Sequence, residues 1–209
     1  CRELHIDAPK PELEDWEQMV ERIRNRSREV HIGLVGKYVK LHDAYLSVAE
    51  AMNHAGYELN TFVKIHWIDS ENIRSDNVKD ILEGLDGIIV PGGFGNRGIE
   101  GMILSANYAR ENQIPYFGIC LGMQIAVIEF ARNVLGLKDA HSGEFDEQCE
   151  YKVIDFMPGQ SERKDKGGTL RLGSYPCSIK AGTKMEQCYG GKLIHERHRH
   201  RYEFNNKYR

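Results

Sequence analysis

Leu13, Trp16, Val20 and Ile23 recur at helical spacing with charged residues between them. This spacing predicts an amphipathic helix packed against its own domain or against a neighbour outside the chain. Ahead of it, residues 1–12 hold two prolines and little apolar pattern, and they read as a linker. From residue 30 the pattern changes. Residues 30–35, 61–68, 87–90 and 115–119 are short runs rich in apolar and β-branched side chains, which predicts buried strands. Between and after them, residues 44–55, 76–82, 99–112 and 121–134 carry the helical period, with Gly56 placed to stop the first of these helices. Strand and helix alternating in this way imply an α/β fold: a mostly parallel central sheet with helices on both faces. Ligands in such folds bind at the carboxyl ends of the strands. From about residue 151 the pattern turns to short strands and polar turns, and residues 158–168, charged and glycine-bearing, read as a mobile loop.

The most informative segment is the junction at 114–124, Ile-Pro-Tyr-Phe-Gly-Ile-Cys-Leu-Gly-Met-Gln. A strand, a cysteine between Gly118 and Gly122, and a helix make a nucleophile elbow. The glycines let the backbone close the turn and leave room beside the sulfur. The start of a helix favours thiolate, and the N–H of Leu121 stands where an oxyanion would form. The chemistry implied is acyl transfer through a thioester on Cys120. Cys149, Cys177 and Cys188 lack this context and read as small buried apolar residues. Pro91-Gly92-Gly93-Phe94-Gly95 follows the strand at 87–90, and a Gly-Gly turn at a strand end can supply a second oxyanion donor. Gly33-x-x-Gly36-Lys37 has the wrong spacing for a phosphate loop and no Ser or Thr after the lysine.

Composition narrows the setting. The 209 residues suffice for a substantial core, and the net charge of -3 gives no basic field for nucleic acid. Five cysteines at irregular spacing, with no C-x-x-C pair, predict neither a disulfide framework nor a zinc site and fit a reducing cytoplasm. No apolar run approaches the roughly 20 residues of a membrane span. The chain begins with Cys1, which reads as a piece excised from something longer.

The Gly-Gly loop followed by the elbow resembles the class I glutamine amidotransferases, and in particular the glutaminase domains of CTP synthases. The resemblance is carried by Val35-Gly36-Lys37-Tyr38, Asp43-Ala44-Tyr45, the segments 91–98, 101–102, 109–112 and 118–124, and Glu144-Phe145. It continues in the segments 167–173 and 196–202 and covers about residues 13–206. It implies a flavodoxin-like fold with a small extra antiparallel β element, a linker over 1–12 from a synthase domain, and an amidotransferase domain over 13–209 that lacks its C-terminal part. It implies that Cys120 attacks the side-chain amide of L-glutamine, that Gly93 and Leu121 stabilise the oxyanion, and that Gln124, Glu144 and Arg201 bind the substrate. Glu144 would face its ammonium group and Arg201 its α-carboxylate, and the chemistry agrees, because an amino acid needs an anion and a guanidinium fork. Phe94, Arg97 and Gly98 become candidate lid and effector residues. Ammonia would pass to a synthase domain that uses ATP and Mg to convert UTP to CTP, with GTP as activator. The full-length protein would be a homotetramer, with no nucleic-acid or membrane partner, no metal and no cofactor in this domain.

One part of the family pattern is missing. A thiol amidase needs a general base, which the family takes from a His-Pro-Glu motif, and no His-x-Glu triplet occurs in the sequence. The segment alone is therefore expected to be inactive. In the run 197–201, strand alternation predicts Arg197, Arg199 and Arg201 on one face and His198 and His200 on the other. Two other functions fit the elbow: a different cysteine hydrolase, γ-glutamyl hydrolase-like or protease-like, and a noncatalytic regulatory or assembly domain.

Overall fold

The computed structural model describes residues 2–5, 10–157 and 171–209. The predicted loop at 158–168 lies outside the described residues. Two compact units are present, residues 1–126 and 127–209.

The first unit is built on a four-stranded sheet in the order β2-β1-β3-β4, with β1 Arg28–Gly36, β2 Thr61–Asp69, β3 Gly87–Val90 and β4 Tyr116–Gly118. Every pairing in it is parallel. Helices α1 Glu14–Arg24, α2 Leu46–Glu58, α3 Val78–Leu82 and α4 Ile99–Glu111 surround it. The chain leaves β1 towards β2 through α2, and leaves β3 in the opposite direction towards β4 through α4. Right-handed crossovers therefore put α2 and α4 on opposite faces, as the alternation predicts. On the α2 face Leu34, Val39, Tyr45 and Met52 are buried together, with Ile32, Trp67 and Ile89 against them. On the other, α4 buries Met102, Ile103, Ala106 and Ala109.

Three expectations are corrected here. Cys149 is buried as expected, but Cys177 and Cys188 are exposed, because the strand and the helix that carry them bury none of their residues. Gly56 does not end α2; it lies inside the helix, where a side chain would strike the Thr61 carbonyl. Its place is fixed by close packing against β2. The apolar stripe of α1 does form a helix, but no residue of that helix is buried and Trp16 is 64% exposed. What α1 packs against within its unit is α2, where Arg22 pairs with Glu58 at 3.0 Å.

Helix α5, Leu121–Asn133, follows the elbow. The second unit then holds a three-stranded sheet, β5-β6-β9, from β5 Ala140–Ser142, β6 Tyr151–Phe156 and β9 Tyr202–Phe204. β5 and β6 are parallel, and β6 and β9 antiparallel. It also holds an antiparallel hairpin, β7 Arg171–Ser178 with β8 Leu193–His200, joined through α6 Lys184–Tyr189. This is the small antiparallel element expected from the resemblance. Among the described residues no helix is long and apolar enough to cross a membrane.

Candidate active site

Cys120 has φ of +55°, a left-handed conformation that a residue with a Cβ adopts only when its surroundings impose it. The surroundings are visible. The Ile119 N–H donates to the Val90 carbonyl at 2.9 Å, so the chain leaves β4 still tied to the end of β3. The Gly122 N–H donates back to the Ile119 carbonyl at 3.0 Å, which closes the turn. The Tyr116 hydroxyl donates to the Gly122 carbonyl at 2.8 Å. Strand and helix then meet backbone to backbone. A Cβ on Gly118 would land on the Gly122–Met123 peptide, and one on Gly122 would land on the Val90 carbonyl. Both glycines are required by contact rather than by flexibility.

The thiol faces the Gly-Gly loop. A Cβ built on Gly92 would stand 3.5 Å from the Cys120 Cβ and 3.9 Å from its Sγ. One built on Gly93 would stand 3.3 Å from the Leu121 side chain and 3.5 Å from Lys37 Cε. Cys120 is half-buried, Leu121 is buried, and Gln124 is buried one turn along α5, where its main-chain N–H donates to the Cys120 carbonyl at 3.3 Å. Cys120, Gly93, Leu121 and Gln124 thus gather at the carboxyl ends of β3 and β4, where the topology predicts a site.

A third strand end joins them. Past β1, the buried Tyr45 hydroxyl accepts from the N–H groups of Lys37 at 3.2 Å and Tyr38 at 3.3 Å. Burial raises the Tyr45 pKa above its ordinary value, so the phenol stays protonated. Lys37 is 3% exposed, and its Nζ donates to the Phe94 carbonyl at 2.9 Å and to that of Gly95. Arg97 donates to the Lys37 carbonyl at 2.9 Å and to Glu71 at 2.8 Å, with its guanidinium 5.6 Å from the centre of the Tyr38 ring. Phe94 is exposed, and Gly98 forms the left-handed N-cap of α4 against Ser70. Sequence reasoning singled out Lys37 and Tyr45 only as part of the resemblance, and set Gly33-x-x-Gly36-Lys37 aside as a failed phosphate loop. A lysine after a buried strand, between glycine and tyrosine, was the available signal.

In the second unit Glu144 follows β5 and Arg201 occupies the bend between β8 and β9. The Gly143 N–H donates to the Ile154 carbonyl at 2.9 Å, and the Met157 N–H donates to the Arg201 carbonyl at 2.9 Å. Both residues therefore flank the carboxyl end of β6, one on the β5 side and one on the β9 side. Arg201 departs from the predicted alternation. Arg197 and Arg199 are exposed on one face of β8 and His198 and His200 are half-buried on the other, but the bend removes Arg201 from that register. The His198 and His200 rings meet edge to face at 5.3 Å between centroids, and Arg171 stacks on Tyr175 at 4.1 Å. Burial, then His198 and Arg171, push the His200 pKa down.

The sequence profile described as "Glutamine amidotransferase class-I" matches residues 40–209. The chain belongs to the class-I glutamine amidotransferase family. Two curated relatives of this amidotransferase are named CTP synthase. That of Listeria innocua is 58% identical over 206 residues, 99% of this chain and 39% of the relative. That of Bacillus subtilis is 53% identical over 209 residues, 100% of this chain and again 39% of the relative. The amidotransferase chain thus spans about two fifths of the length of these relatives. A solved structure, titled "Trypanosoma brucei CTPS - glutaminase domain with bound acivicin", is 42% identical with a TM-score of 0.79. It matches 86% of this chain and 69% of its own.

Proposed function

We propose that this domain releases ammonia from L-glutamine for a CTP synthase. Cys120 Sγ attacks the carboxamide carbon, the carbonyl oxygen takes up negative charge, and the main-chain N–H groups of Gly93 and Leu121 receive it. Collapse of the adduct expels ammonia and leaves a γ-glutamyl thioester, which water then hydrolyses to glutamate. The buried Gln124, the carboxylate of Glu144 and the guanidinium of Arg201 bind the amino acid substrate. The observation that carries this reading is the left-handed Cys120 seated against Gly92, at the ends of two adjacent parallel strands.

The reaction needs a base that also returns a proton to the leaving ammonia. No His-Pro-Glu motif occurs in the sequence, so we assign that role to a residue in the remainder of a longer polypeptide. The same polypeptide would carry the synthase domain, where ATP and Mg serve the amination of UTP. GTP would act near the loop from Phe94 to Glu100, with Phe94, Arg97 and Gly98 as its candidate residues, and the assembly would be a homotetramer.

The test is labelling of Cys120 in the full-length protein with a glutamine-mimicking electrophile. Protection by L-glutamine, and no protection by γ-glutamyl peptides, fits the proposal. Protection by the peptides instead would assign the elbow to a γ-glutamyl hydrolase.

A further inference from the structure

We propose that Lys37 is a positioning residue of this site, whose buried ammonium holds the Gly92–Gly93 peptide beside Cys120. The inference rests on the glutaminase reading above and deepens it. A buried ammonium is costly unless its donors are used. Here two of them go to successive carbonyls of one loop, those of Phe94 and Gly95. That loop has little stiffness of its own: Gly92, Gly93 and Gly95 offer no side-chain constraint, and Gly95 has φ of +73°. Two converging carbonyls on one cation set the orientation of consecutive peptide planes, and the lysine stem passes directly beside Gly93.

The clamp is itself anchored. Tyr45 takes the N–H of Lys37 and Arg97 takes its carbonyl, so the turn after β1 is fixed on both sides. The end of β1 is thereby coupled to the loop after β3, and the loop to the elbow after β4. Lys37 has no contact with the reacting atoms in this account. It acts by holding an oxyanion donor in place before the reaction begins, where a small displacement is expensive.

The experiment compares Lys37→Met with the parent in the full-length protein. Glutamine hydrolysis should fall in kcat by about 10-fold or more, with KM nearly unchanged, because a donor used only in the transition state is misplaced. Alkylation of Cys120 by iodoacetamide should keep the parent's rate, since displacement at saturated carbon builds no oxyanion. Tyr45→Phe preserves shape but frees the Lys37 turn, and it should show the same split in smaller measure. It also decides the matter if Lys37→Met does not fold. An unchanged kcat in the folded variants would overturn the proposal, as would equal losses in hydrolysis and alkylation. Cys120→Ala, made alongside, tests the glutaminase reading separately: hydrolysis persisting there would remove that reading whatever Lys37 does.

Discussion

The Tyr116 hydroxyl donates to the Gly122 carbonyl across the elbow, so the strand that delivers Cys120 is tied to the first turn of the helix that leaves it. Tyr116→Phe removes this one bond and leaves the ring. A stability loss of about 1 kcal/mol is expected. Thermal unfolding of the two proteins under one set of conditions measures it.

The strain at Cys120 can be read independently of chemistry. A left-handed non-glycine residue costs about 1–2 kcal/mol. Cys120→Gly should therefore be more stable than Cys120→Ala by about 1 kcal/mol, the reverse of the usual ordering of these residues in helices. Urea unfolding of both variants gives the difference. Equal stabilities would mean that the elbow is not strained at this position.

Contact between the backbones of α5 and β3 makes a third prediction. Gly122→Ala puts a methyl group on the Val90 carbonyl. Neither partner is a flexible side chain, so the elbow must move, at a cost of about 1–3 kcal/mol. Glutamine hydrolysis by the full-length Gly122→Ala protein should fall further than its stability does, because the sulfur moves with the turn.

The β7–β8 hairpin should respond to mild acid. His200 has a folded pKa below its unfolded value, through burial first and then through His198 and Arg171. Its neutral form is favoured by folding, so the unfolded chain binds more protons and stability falls as pH falls. The contribution is complete above the unfolded pKa, about 6.5, and is lost as pH drops through the lower folded value. Protection factors for amide exchange of the residue 193–200 backbone, each taken against the intrinsic exchange rate at the same pH from 7.5 to 5 (about the range in which histidine titrates), should fall towards acid, and His200→Phe should flatten the change.

Much of this architecture is legible in residue order. The parallel sheet follows from strand–helix alternation, and the elbow from Gly118-x-Cys120-x-Gly122, because both depend on local period and turn chemistry. What residue order conceals is contact between distant segments. Gly56 looks like a helix stop until β2 is seen against it. Arg201 looks like the next member of an alternating strand until the chain bends there. Lys37 looks like a fragment of a phosphate loop, and its actual partners, Phe94 and Gly95, lie on another strand end. The placement of Glu144 and Arg201 on either side of the end of β6 depends on the order β5-β6-β9, which no local pattern encodes.

The central claim is that Cys120 is the nucleophile that releases ammonia from glutamine. The rate of CTP formation by full-length Cys120→Ala, with glutamine and with ammonium chloride as alternative nitrogen donors, tests it most directly. Loss of the glutamine-dependent rate with the ammonia-dependent rate intact is the predicted result. Synthesis from glutamine continuing at the parent's rate would contradict it.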